Sequence, residues 1–356
     1  MDDFELLETD KLFMNSQKQK SDFINLLRGL AIFLMLWGHC IQYCCGGQFD
    51  FFEDNVFKAI YSFHMPLFMV ISGYLFHFSA QKRKLVELIQ YKAKSLLYPI
   101  LMGNVVNFVL ILPFVLMIRR ENNLGLQLDG LWFLWSVLSA SVVLSFAVKC
   151  KNKVIQFLLI ILGLAAVALF PCREMNIWMY PYFVVGWMLA GNSRFCFAKL
   201  TNIIGLVSTI CFVVMLLFFA KKYYIYTSGI FGGRMLIESL QIDFYRWFVG
   251  FFGSATVVWA FSLAYKRFNG CLLDVFLQLL GKNSLSIYIL QSSLLSFYLP
   301  VIARNLLKHV SWINWNEYIL AYWVITFVVA FLYSLLILKI VKLLKKNNVH
   351  ALIFGR

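Results

Sequence analysis

The segment NLLRGLAIFLMLWGHCIQ, Asn25 to Gln42, has the apolar content of a membrane span and yet carries Arg28 and His39. Ionisable groups inside a span are costly, so they turn to a protein interior or a water-filled cavity and are functional candidates by default. A helix turns 100° per residue, so eleven positions return the two side chains to within about 20° of one face, about 16–17 Å apart along the axis. Taken alone, Arg28 suits a snorkelling anchor at the edge of a span. His39 alone suits a histidine bonded to a neighbouring helix. A shared face weakens both readings, because a simple anchor need not align with anything.

The rest of the chain decides what surrounds this face. Of its 356 residues 61% are hydrophobic and 14% charged, with mean hydropathy +0.76. A soluble domain has about 45–50% apolar and about 25% charged residues. The excess falls in blocks of about 18–25 residues, enough to cross a bilayer as a helix. This predicts an all-α, polytopic membrane bundle of about ten transmembrane helices, near 24–44, 56–78, 95–118, 130–148, 154–171, 178–191, 203–220, 245–265, 284–303 and 318–343. Residues 1–20 read as a polar segment without a cleavable signal, 21–343 as the membrane domain, and 344–356 as a basic tail.

The net charge of +15 invites a nucleic-acid reading, but its placement argues for topology. About 21 lysines and arginines fall in one alternate set of connections and the termini, against 8 in the other set. That is the bias of a chain with both termini in the cytoplasm. Membrane lipids are the expected surroundings, and no nucleic-acid partner is expected. The eight cysteines form no disulfide pattern. Cys40, Cys44 and Cys45 lie beside His39 but lack the paired spacings of a metal site, so none is assigned.

The second block contains FHMPLFMVISGYLF, Phe63 to Phe76. It places His64 at a depth similar to that of His39. Pro66 frees backbone groups, and Ser72 and Gly73 are small enough for another helix or a ligand to come close. Helix packing with a kink accounts for the last three better than for His64. The basic stretch QKRKLVELIQYKAKSLLYP, Gln81 to Pro99, reads first as an amphipathic connection lying on anionic lipid. Its second reading is a phosphate clamp of Lys92 and Lys94 near the Arg28 end. In the connection 221–244, Tyr223, Tyr224, Tyr226, Arg234, Glu238 and Asp243 suit sugar hydroxyls, although Tyr is ordinary at an interface. Asn283 and Ser284 are expected to cap the ninth span, and Trp178, Trp312 and Trp315 to sit at the interface.

Arg28, ten intervening residues and His39 resemble the Arg-x10-His signature of the acyltransferase-3 family of integral membrane acyltransferases. FHMPLFMVISGYLF, YKAKSLLYP, LWFL at Leu131 to Leu134 and GKNSLSIYILQ from Gly281 to Gln291 resemble its fucose-4-O-acetylase-related branch of sugar acetyltransferases. The resemblance runs in order from residue 21 to 291. It implies transfer of an acyl group, usually acetyl from cytoplasmic acetyl-CoA, to a hydroxyl of an extracytoplasmic or lipid-linked glycan at the inner membrane of a bacterium. It implies His39 as the catalytic histidine, Arg28 as support for acyl-CoA and site geometry, and His64 in a supporting role. Lys92 and Lys94 stand as the acyl-CoA contacts, and Trp132, Glu238 and Asp243 as acceptor contacts. The chain departs from the family in three places: Lys92 and Lys94 replace arginines and make no bidentate phosphate forks, Gln291 replaces a frequent histidine, and Trp135 replaces a frequent proline.

An imidazole, with a reference pKa of about 6.5, accepts a proton at neutral pH. His39 therefore suits a general base on the acceptor hydroxyl, with a two-step route through an acyl-histidine as the alternative. A transporter or flippase is the competing class. Against it, the sequence has no pair of interrupted helices in matching halves and no carboxylate for ion coupling inside a span.

Overall fold

The computed structural model describes residues 3–45, 49–118, 128–192, 201–225, 236–268, 270–307, 315 and 317–355. The architecture is a bundle of α-helices, and no strand occurs among the described residues. In chain order the helices are α1 (Asp3–Cys44), α2 (Asn55–Gln81), α3 (Leu85–Lys92), α4 (Tyr98–Ile118), α5 (Trp132–Lys149), α6 (Lys153–Ala166) and α7 (Arg173–Gly191). They continue with α8 (Asn202–Leu217), α9 (Leu236–Phe268), α10 (Leu272–Lys282), α11 (Ser284–Ser293), α12 (Leu299–Leu307), α13 (Ile319–Lys346) and α14 (Val349–Phe354).

Among the described residues six helical stretches are both long and apolar enough to cross a bilayer: Ser21–Cys44, Asn55–Gln81, Leu85–Pro113, Trp132–Lys149, Ile237–Tyr265 and Ile319–Lys346. The expected spans at 154–171 and 203–220 are shorter helices of 14 and 16 residues. The expected ninth span is not one rod. A π-turn, Leu294–Tyr298, separates α11 from α12, and Pro300 lies at the start of α12. A second π-turn, Ala93–Leu97, joins α3 to α4. Such turns break helical register and are frequent at functional sites. The outward faces of α6, α8 and α13 carry exposed residues such as Phe157, Leu162, Val207, Val213, Val324 and Leu332. A soluble protein seldom leaves so much apolar surface uncovered. The chain is an integral membrane protein.

Two close helix crossings hold the centre. A Cβ at Gly29 would lie 1.7 Å from the Leu277 carbonyl oxygen, and one at Gly281 would lie 1.9 Å from that of Asn25. Helices α1 and α10 therefore touch backbone to backbone, which any side chain would prevent. Gly73 of α2 and Gly186 of α7 make a second such crossing, where an added Cβ would lie 2.0 Å from the carbonyl oxygens of Phe183 and Val70 respectively. The first crossing matters most, because α11 begins three residues beyond Gly281 and is thereby delivered to α1.

The chain's last helix closes one end of the bundle. Tyr98 donates its hydroxyl hydrogen to the Leu352 carbonyl at 2.5 Å, Phe354 is buried, and His350 Nε2 lies 3.0 Å from Ser286 Oγ. Residues 349–354 are thus a docked element rather than a loose basic tail.

Replacing Gly281 with Val is expected to force α1 and α10 apart at a cost of about 1–3 kcal/mol or more. A lowered melting temperature of the detergent-purified protein checks this, and an unchanged one contradicts it.

Candidate active site

Helix α1 places Arg28 and His39 on the walls of two neighbouring cavities. Arg28 lines a chamber of about 110 Å³, walled by α1, α2, α5 and α11 and by Leu96 of the π-turn Ala93–Leu97. His39 lines a larger one of about 240 Å³. Met35, Met65 and Tyr288 line both, so these three side chains form the waist between them. Met side chains are flexible and adapt to what passes them.

At one end, Arg28 donates from Nη2 to Ser284 Oγ at 2.6 Å. Ser284 is the first residue of α11, brought here by the glycine crossing. Asn283 and Ser284, expected as helix caps, make no side-chain cap bond. Asn283 Oδ1 instead accepts from Lys345 Nζ at 2.7 Å, and its Nδ2 donates to the Leu279 carbonyl at 2.8 Å. Lys92 and Lys94 do not line the Arg28 chamber. The Lys92 ammonium lies over the rings of Phe76 and Tyr91, 5.3 and 5.7 Å from their centroids, and Lys94 is exposed. The π-turn explains this, since it sends Leu96 inward and leaves Lys94 outside.

At the other end, His39 Nδ1 lies 3.1 Å from the Tyr61 hydroxyl oxygen and 3.4 Å from Gln42 Oε1. One tautomer serves both contacts, with Nδ1–H donating and the Nε2 lone pair left for the chamber. The Tyr43 ring is stacked beside the imidazole, with centroids 5.7 Å apart and planes 12° from parallel. His64 is also on the chamber wall, and its Nδ1–H donates to the Ile60 carbonyl at 2.7 Å, which fixes its tautomer too. The two histidines do not bond each other. Tyr61 stands between them, edge-on to both rings at 6.1 and 4.9 Å. The contact that orients His39 is therefore Tyr61, not His64.

The His39 chamber is covered by residues 219–225, held by an arginine that nothing in the sequence pattern singled out. Arg246 donates to Asp243 Oδ1 through Nη1 at 2.9 Å and to the Tyr223 carbonyl through Nε at 2.9 Å. Its Nη2 donates to the carbonyls of Tyr224 and Lys222 at 2.7 and 3.3 Å. Lys221 adds a 2.7 Å ion pair to Asp50, whose carboxyl it holds below the usual range. The Tyr224 hydroxyl donates to the Phe52 carbonyl, and burial raises its pKa. These contacts tie 221–225 to 50–54 as one cover.

Other expectations fare unevenly. Trp132 lines the His39 chamber. Glu238 is exposed at the start of α9 and away from it, and Asp243 is engaged with Arg246 instead of lining it. Trp178, expected at the interface, lines the chamber, and Trp315 is buried; Trp312, Tyr226 and Arg234 lie outside the described residues. The spacing of Asp243 and Arg246, three residues apart in an apolar helix, was the available signal for a buried pair. Among the described residues no group of three His, Cys, Asp or Glu side chains is placed to hold a metal ion.

A membrane helical bundle with a cation and an imidazole from one helix lining two neighbouring internal cavities defines the class: an integral membrane protein with a buried polar site. The chain belongs to the acyltransferase-3 family, whose acyltransferase domain pattern matches residues 21–336. It is 30% identical over 191 residues to the nodulation protein NolL of Sinorhizobium fredii, covering 49% of this chain and 50% of that protein. It is 29% identical over 173 residues to NolL of Mesorhizobium japonicum, covering 46% of each. The chain thus aligns with about half the length of these curated relatives. No solved structure matches it. The chain is thus an integral membrane protein that carries an acyltransferase domain.

Asp243→Ala leaves the buried Arg246 charge without its partner and is expected to cost about 3–5 kcal/mol. Thermal unfolding in detergent checks this, and a melting temperature equal to that of the parent protein contradicts it.

Proposed function

We propose that this enzyme transfers an acetyl group from acetyl-CoA to a hydroxyl of an extracytoplasmic or lipid-linked glycan, with His39 as general base. The observation that carries the reading is the pair of chambers meeting at Met35, Met65 and Tyr288, with Arg28 on one and His39 on the other. Acyl-CoA is anionic, and its reactive thioester sits at the end of a narrow, extended pantetheine arm. A cation at the entry and an apolar chamber beyond it suit that shape. Lys92 precedes, and Lys94 lies within, the turn that supplies Leu96 to the chamber wall, and the two are the contacts proposed for the donor's phosphates.

The thioester passes the waist and meets the acceptor below the cover formed by residues 219–225. His39 Nε2 takes the proton of the acceptor hydroxyl as its oxygen attacks the thioester carbonyl carbon. The tetrahedral intermediate collapses with breakage of the C–S bond. The leaving thiolate takes the proton back from the imidazolium, giving the ester and free CoA. Tyr61 and Gln42 keep Nδ1 engaged throughout, the role of the orienting group behind a base. Aromatic walls from Trp132, Trp178 and Tyr223 suit the C–H faces of a sugar ring. The positive-inside bias supports placing the Arg28 end at the cytoplasmic face of a bacterial inner membrane.

With radiolabelled acetyl-CoA and purified enzyme, His39→Ala is expected to lower thioester turnover and glycan labelling at least about 100-fold. Turnover equal to that of the parent enzyme would remove the assignment.

A further inference from the structure

Gln291 lines the His39 chamber and not the Arg28 chamber. It is 4% exposed, and its Oε1 is buried with no hydrogen-bond partner among the described residues. On the same wall the Trp178 Nε1, a donor, is likewise buried without a partner, which leaves Gln291 Oε1 as the unpaired acceptor beside the engaged histidines and Arg246. His39 and His64 each use Nδ1, and Arg246 holds one carboxylate and three carbonyls. A buried acceptor left unpaired is costly, so Gln291 is retained at the expense of stability unless a ligand completes it.

The next two residues tie α11 to α4 directly beyond Gln291. Asn107 of α4 donates through Nδ2 to Ser292 Oγ at 2.6 Å and accepts at Oδ1 from Ser293 Oγ at 2.5 Å. The π-turn at Leu294–Tyr298 begins directly after. The Gln291 carboxamide brings to this wall a donor at one end and an acceptor at the other.

We propose that Gln291 is a specificity-determining residue that grips a sugar hydroxyl next to the one being acylated. This rests on the acyl-transfer reading above. Three points single out a sugar hydroxyl. Oε1 needs an incoming O–H or N–H donor, which a thioester carbonyl lacks. Both amide N–H groups of the pantetheine arm trail the sulfur by at least two carbons, so in this reading they occupy the waist and the Arg28 chamber, and Gln291 is among the lining residues of neither. The hydroxyl undergoing acylation gives its hydrogen to His39 on α1, so the carboxamide on α11 is left for a second hydroxyl of the same ring. At about 240 Å³ the chamber has the volume of about eight waters. That admits one sugar ring, with the remainder of the acceptor outside.

The test uses the full chain in proteoliposomes, labelled acetyl-CoA, and a panel of methyl hexopyranosides with their monodeoxy analogues as acceptors. The parent enzyme is expected to acylate one hydroxyl and to lose about tenfold in kcat/KM when the neighbouring hydroxyl is absent. Gln291→Leu is expected to lose the same factor on the complete sugar, to treat the deoxy analogue no worse, and to keep its KM for acetyl-CoA. Gln291→Asn, which keeps the amide, is expected to recover part of the loss. Should Gln291→Leu fail to fold, the deoxy series on the parent enzyme and on Gln291→Asn still decides. Equal discrimination between hydroxyls in Gln291→Leu and the parent enzyme, or indifference of the parent enzyme to every single deoxygenation, overturns the inference and leaves acyl transfer standing. Absence of transfer to any sugar together with turnover insensitive to His39→Ala overturns both.

Discussion

Backbone contact between α1 and α10 at Gly29 and Gly281 is the constraint on which the site depends. With no side chain at either position, the two helices come close enough for α11 to start against the face of α1 that carries Arg28. Ser284 then accepts from Arg28, and α11 continues along the same face, presenting Tyr288 at the waist and Gln291 beyond it. Three successive levels of one passage are therefore set by a single crossing.

A second constraint is the satisfaction of polar groups where lipid offers none. Arg246 is buried, yet its carboxylate and carbonyl partners make it the fastening of the segment that covers the His39 chamber. His64 and His39 each commit one ring nitrogen to a local partner and turn the other to the cavity. Tyr61 connects them through one edge-on ring and one hydroxyl. His39, His64 and Arg246 are held by neighbours, whereas Gln291 Oε1 is left unpaired and the Met side chains of the waist keep their flexibility.

The face of α1 was legible because it follows from helical arithmetic within one segment. The depth of His64 and the small residues Ser72 and Gly73 were legible for the same reason. What the sequence did not disclose is which faces of other helices meet that one. Tyr61, Tyr288 and Gln42 are residue types that packing uses everywhere, so nothing marked them before their partners were in place. Asp243 and Glu238 were chosen for chemistry and for a shared connection, but one is paired with Arg246 and the other is exposed. Lys92 and Lys94 were singled out as basic residues on the approach to the third span, where the π-turn at Ala93–Leu97 puts Leu96 on the chamber wall and Lys94 is exposed. Of about ten expected spans, six are long and apolar enough among the described residues, and α11 and α12 are joined by a π-turn where one continuous α-helix was expected.

The central claim is that one passage joins the Arg28 chamber to the His39 chamber through Met35, Met65 and Tyr288. The most direct measurement narrows that waist in steps, with Met35→Phe, Met35→Trp and Met65→Phe, and records CoA binding and acyl-group turnover side by side. Turnover should fall as the side chain grows, while the affinity for CoA stays where it was. Turnover indifferent to bulk at the waist would show that the thioester reaches His39 by another route, or not at all.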